Sequence, residues 1–148
     1  MNIMKYILTT LFFIGQLTTT YSQNWELDFN TAIKTAQDSN KTIILVFSGS
    51  DWCAPCMKLE RVIWETNTFQ KYANDHYVMV RADFPKKKAN KLSKEQEEKN
   101  AHLAEMYNPN GYFPSVVIID KNKKVLGQTG YKKISPQEYI EYLNSFIK

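Results

Sequence analysis

The sequence predicts an α/β fold, a three-layer α/β/α sandwich in which helices cover both faces of a mixed central sheet. Three observations carry that expectation. Residues 42–47 and 116–119 are continuous apolar runs rich in β-branched side chains, the pattern of strands buried on both faces. Apolar residues at helical spacing recur between and around them, as at Ala32, Ile33 and Ala36. The last two strands are separated only by the polar turn 120–124, so that pair is antiparallel. With 148 residues, 43% of them hydrophobic, the chain has room for one domain with a real core, and disorder is not expected for its body. A net charge of +4, with acidic residues spread among the basic ones, leaves no footprint for nucleic-acid binding.

Residues 1–22 read as a signal peptide and 23–148 as the domain. Lys5 supplies the positive charge, residues 6–17 are mostly apolar, and residues 18–22 form a small, polar exit with cleavage expected after Ser22. The apolar stretch of about 12 residues, interrupted by Thr9, Thr10 and Gln16, falls short of the roughly 20 needed to span a bilayer. An exported protein, periplasmic or secreted, is therefore expected. Residues 24–27 look like a lead-in. Asp28 then caps a helix running to about Ser39. The strand at 42–47 is followed by the loop Ser48, Gly49, Ser50 and Asp51, which delivers Trp52, Cys53, Ala54, Pro55 and Cys56 at the strand's C-terminal end. Sites collect there in open α/β sheets.

Pro55 falls in the first turn of a helix, where its missing N–H does no harm, and Met57, Leu59, Val62, Ile63 and Trp64 continue a helical pattern to about Thr66. Residues 69–74 suggest a short helix and 77–82 a second strand. Lys86, Lys87, Lys88 and Lys91 make a basic loop that reads first as a solvated face, with a docking patch as the alternative. Ser93 and Gln96 form a capping box for a helix to about Tyr107, with Ala101, Ala104 and Tyr107 inward. The turn formers at 108–111 reverse the chain before the strand at 116–119. After the hairpin, Ser135, Pro136 and Glu138 start a last helix whose buried stripe is Tyr139, Ile140, Leu143, Phe146 and Ile147.

Cys53 and Cys56 are the chain's two cysteines. Spaced i and i+3 at a helix start, they share a face and come within bonding distance. Orphan N–H groups and the positive end of the helix dipole favour a thiolate on Cys53, which makes it the expected attacking sulfur. A bridge closing so short a loop constrains little of the unfolded chain, so it points to redox work rather than to structure. A structural zinc site needs four ligands, and His76 and His102 follow no ligand spacing, so no metal is expected.

At WCAPC the chain resembles the thioredoxin superfamily, in particular exported bacterial thioredoxin-like thiol–disulfide oxidoreductases. The strand before the motif, the proline-headed strand at Phe113, Pro114 and Ser115, the hairpin and the terminal helix follow the family order over residues 24–148. The resemblance implies a thioredoxin-like sandwich with a cis bond before Pro114 opposite the sulfurs. It also implies client binding at Trp52, Phe113 and Pro114. The redox-active Cys53/Cys56 pair serves in place of a cofactor. The implied partners are disulfide-containing client proteins and a membrane-bound electron donor, and the protein is expected to be a monomer.

Three departures from thioredoxin itself stand out. The buried aspartate that assists the second cysteine is missing, its place falling at Val46 or Phe47; the glycine of the family dipeptide is Ala54; and the segment between Asp83 and Pro114 is long. Glu60, four residues after Cys56, projects from the same helix face and is the candidate to relay the Cys56 proton, directly or through a water. The competing reading is an ordinary solvated glutamate. Asp51, if it came close to Cys53, would raise its thiol pKa. The direction of electron flow stays open among reductase, oxidant and isomerase, with reduction favoured by resemblance. A non-catalytic binding module or a copper chaperone is the alternative from another class, since two thiolates suit Cu(I).

Overall fold

The structure is a computed structural model that describes residues 22–148. The expected signal peptide lies outside the described residues apart from Ser22. Strands β1 (Trp25–Glu26), β2 (Thr42–Ser48), β3 (Tyr77–Asp83), β4 (Ser115–Ile119) and β5 (Val125–Thr129) form one five-stranded sheet in the order β1-β3-β2-β4-β5. Central β2 runs parallel to β3, with Leu45 opposite Val80, and antiparallel to β4, with Leu45 opposite Val117. The sheet is mixed, as expected. β1 was not expected: two residues are too few to show alternation, and Trp25 and Glu26 pair with Met79 and Val80 along the edge of β3.

Strand side chains alternate between faces, which splits the core in two. Ile44, Val46, Met79, Val116 and Ile118 pack towards α3 (Asn67–His76) and α5 (Pro136–Asn144). Ile43, Leu45, Phe47, Val78, Val80 and Val117 pack with Ala32, Ile33 and Ala36 of α1 (Phe29–Ser39) and Leu103 of α4 (Lys94–Tyr107). With both faces covered, β2 and β4 have no position for a polar alternation, and this is why they read as unbroken apolar runs.

Asp28 caps α1 by accepting from the Thr31 amide at 2.9 Å, and the Ser135–Glu138 box of α5 is complete. Two expectations need correcting. The α4 box is half formed: the Ser93 hydroxyl accepts from the Gln96 amide, but the Gln96 side chain bonds Leu27 O and Asn100 instead of returning. Asn100 and Leu103 are the buried residues of α4, whereas Ala101 is exposed and Ala104 and Tyr107 are half-buried. A hydrophobic stripe passes over Asn100 because its burial rests on a hydrogen bond, from its amide to Asp83 O at 2.9 Å.

The helix after the motif also departs from a single α-helix. α2 (Ala54–Leu59) gives way to a π turn over Glu60–Trp64 before α3 begins, with the Glu65 amide bonding Glu60 O at 2.9 Å. The wider turn lets the neighbours Ile63 and Trp64 both enter the core. Trp64 meets Phe69 and Tyr139 edge-on, at centroid distances of 4.6 and 5.4 Å. Met57, counted in the expected stripe, is exposed.

Candidate active site

The motif loop leaves the C-terminal end of β2 and turns through Gly49, whose carbonyl accepts from the Cys53 amide at 2.9 Å. Asp83 at the end of β3 fixes this turn by accepting from the Ser50 amide and hydroxyl. Cys53 is the N-cap of α2: its sulfur accepts from the Cys56 amide at 3.3 Å, with Pro55 in the first turn. The two sulfurs form a disulfide with Cα atoms 5.2 Å apart. Each cysteine is 4% exposed, so exposure does not separate their roles. The N-cap position distinguishes Cys53, because the Cys56 N–H donates to its sulfur and the helix N-terminus favours a thiolate there.

Trp52 lies back across Gly49, where an added Cβ would run into the indole. Its Nε1 donates to Phe84 O at 2.7 Å, and its ring meets Phe113 edge-on at 5.4 Å. The Phe113–Pro114 peptide is cis. Because Ser115 stands opposite Phe47, Pro114 lies level with the end of β2, where the motif loop departs. The structure therefore brings Trp52 and Phe113 into contact and sets Pro114 level with the strand end from which the motif loop departs. Tyr112, Phe113, Pro114 and Gly130 line an open groove of about 460 Å³.

A cavity of about 400 Å³ is lined by Ser48, Cys56, Glu60 and Arg81 among others. Glu60 thus reaches the neighbourhood that its spacing suggests, but it is not a freely solvated carboxylate. Arg81 Nη2 holds its Oε2 at 2.6 Å, and the guanidinium in turn lies over the Trp25 ring, 3.9 Å from the centroid. Val46 belongs to the same core cluster as Leu59 and Ile63, while Phe47 packs on the opposite face, so Val46 is the strand position beneath the motif helix. Arg81 is its partner across the ladder.

Sequence reasoning missed Arg81 and the task of Asp51. The signal for Arg81 was available: a cation at the fifth place of a strand whose first four residues are buried. The Asp51 carboxylate accepts from the amides of Lys86 and Lys87 and from the Asn90 side chain, each at 2.9 Å. The Lys86 N–H first, then the Asn90 amide, hold its pKa below the usual carboxylate value. Its hydrogen-bonding capacity is spent on the 86–90 segment, not on Cys53.

The model of the family described as a thioredoxin-like domain matches residues 29–147. The chain belongs to the thioredoxin-like family. Its curated relatives include the disulfide bond reductase DsbH of Chlamydia pneumoniae, 35% identical over 124 residues that span 84% of this chain and 72% of that protein. A solved structure of a DsbH oxidoreductase superposes with a TM-score of 0.78 at 32% identity, covering 85% of each chain. A thioredoxin from Thermus thermophilus, 14% identical, superposes at 0.61 over 85% of this chain and 88% of that one, a likeness of fold. The chain is a DsbH-like disulfide oxidoreductase, with a Cys53–Cys56 disulfide in its CxxC motif.

Proposed function

We propose that the protein is an exported thiol–disulfide reductase that spends a Cys53/Cys56 dithiol on disulfides of client proteins. The observation that carries this reading is the Cys53–Cys56 disulfide itself, set at the N-terminus of α2. The similarity to DsbH supports the reducing direction and a compartment where such proteins work.

The Cys53 thiolate attacks one sulfur of the client disulfide, forming a mixed disulfide and releasing the other client sulfur as a thiolate, which takes a proton from water. Cys56 then loses its proton and attacks Cys53 Sγ. That step closes the Cys53–Cys56 bond and expels the second client sulfur, so two electrons have passed to the client. Glu60, in the cavity that Cys56 lines, receives the Cys56 proton directly or through water. Trp52, Phe113 and Pro114 hold the client: Pro114 offers no N–H, while the backbone at Phe113 pairs with an extended segment. A membrane-bound donor returns the two electrons.

Equilibration with a series of glutathione buffers tests the direction. A reductase comes to rest near thioredoxin, at roughly −270 mV. A value near the strong-oxidant end, about −120 mV, would overturn the reading. Loss of test-disulfide reduction in Cys53→Ser, with the fold intact, separates turnover from an adaptor role.

A further inference from the structure

The loop after β3 carries Lys86, Lys87, Lys88 and Lys91, all exposed, with no acidic residue between Phe84 and Leu92. None of the four takes part in an ion pair among the described residues. A basic loop that merely floats in solvent would not need to be held in place. This one is fastened to the active-site loop: Asp51, two residues before Cys53, binds the Lys86 and Lys87 amides and the Asn90 side chain. Trp52 holds Phe84 O, and the Lys86 ammonium stands over the Trp52 ring, 4.0 Å from its centroid. The same indole touches Phe113, which lines the groove at Pro114. Lys86 therefore borders the groove proposed to hold the client, with Lys87, Lys88 and Lys91 on the same short loop, and beside the single carboxylate of Asp51 these four cations leave an excess of positive charge for an acidic partner to meet.

We infer that Lys86, Lys87, Lys88 and Lys91 form a docking rim for acidic polypeptide, selecting clients that carry Asp or Glu beside the disulfide. The inference rests on the reductase reading and adds the substrate class to it. A polypeptide fits better than an anionic lipid surface. A membrane laid flat on the lysines would cover the neighbouring groove and close off the disulfide, whereas a strand in the groove brings its flanking side chains alongside them.

The test uses three cyclic disulfide peptides that differ only in flanking residues: Asp/Glu, Ser or Lys. The reduced protein, used in a single turnover, is expected to favour the acidic peptide over the neutral one by about tenfold in second-order rate constant at 0.01 M salt, where the Debye length is about 30 Å. The preference should fall below about twofold at 0.5 M. The variant Lys86→Gln/Lys87→Gln/Lys88→Gln removes the preference. Lys121→Gln/Lys123→Gln/Lys124→Gln, which removes the same charge at the opposite end of β2, keeps it.

Equal rates for the three peptides would overturn the docking rim, as would equal losses in the two triple variants, which would reduce the effect to net charge. Binding to phosphatidylserine vesicles with no peptide preference would move the assignment to membrane. If no peptide is reduced, the reductase reading itself falls. Docking is then decided by titrating tryptophan emission with a linear acidic peptide: saturable binding lost in the Lys86 triple variant upholds it, and no binding refutes it.

Discussion

Removing the Glu60 charge tests the polar arrangement behind Cys56 most directly. Glu60 Oε2 and Arg81 Nη2 are 2.6 Å apart, on side chains 31% and 24% exposed. Two unit charges about 4 Å apart interact by roughly 4 kcal/mol at an effective dielectric of about 20. That is a ceiling, because partial exposure screens the pair and both ions lose hydration when they meet. A double-mutant cycle of Glu60→Gln and Arg81→Met should therefore give a coupling of about 1–2 kcal/mol in urea unfolding of the oxidised protein. Arg81 Nε is buried without a hydrogen-bond partner, so the guanidinium relies on Glu60 and the Trp25 ring to stay where it is. A coupling under about 0.3 kcal/mol would refute the claim that the pair is held by more than chance geometry. The second readout is kinetic. If the Glu60 carboxylate takes the Cys56 proton, Glu60→Gln prolongs the mixed disulfide and alters the pH profile of its resolution, while Arg81→Met retains the carboxylate. An unchanged pH profile in Glu60→Gln removes the residue from the proton path.

Gly49→Ala places a Cβ where the Trp52 indole lies, so the ring must swing off Phe84 O and Lys86; a cost of about 1–3 kcal/mol and a red-shifted emission are expected, and unchanged emission would count against the close approach. The Asp51 latch depends on an ionised carboxylate whose folded pKa lies below the ordinary value of 3.8, so its contribution is full above that value and is lost as pH falls through the lowered one. Acid titration of tryptophan emission should show a transition below about pH 3.8 that is missing in Asp51→Asn, and the same transition in both proteins would assign it elsewhere. Tyr139→Phe removes the bond from the buried phenol to Gly130 O at 2.8 Å, beside the groove, and should cost about 1–2 kcal/mol by urea unfolding; no loss would show that the carbonyl finds another donor.

The cysteine pair, the two apolar strands and the caps at Asp28 and Ser135 were legible because each is a local pattern with a local cause. What sequence reading missed depends on partners distant in the chain. β1 exists only because β3 presents an edge to it. Asn100 is buried only because Asp83 O receives its amide. The π turn at Glu60–Trp64 preserves a helical periodicity closely enough to look like one helix, and only the core shows that Ile63 and Trp64 must both point inward. Asp51 looked like a charge near a thiol because its acceptors' partners lie 35 to 39 positions away.

The site's chemistry has the same character. A thioredoxin-type carboxylate beneath the second cysteine would need a charged residue on central β2, and at Val46 the chain has an apolar one that packs with Leu59 and Ile63. The polar pair near the motif sits one strand outwards, at Arg81 on β3, and one turn along the helix from Cys56, at Glu60. Glu60 begins the π turn, so the wider turn that buries Trp64 starts at the carboxylate proposed for the proton. This arrangement keeps an ionisable group near Cys56 without burying an unpaired charge in the sheet, which would cost several kcal/mol. It also ties the proposed proton path to the edge of the sheet, since Arg81 is steadied by Trp25 of β1. Changes at Trp25, far from both cysteines in sequence, should therefore reach the resolution step through Arg81 and Glu60 and leave the attack by Cys53 untouched.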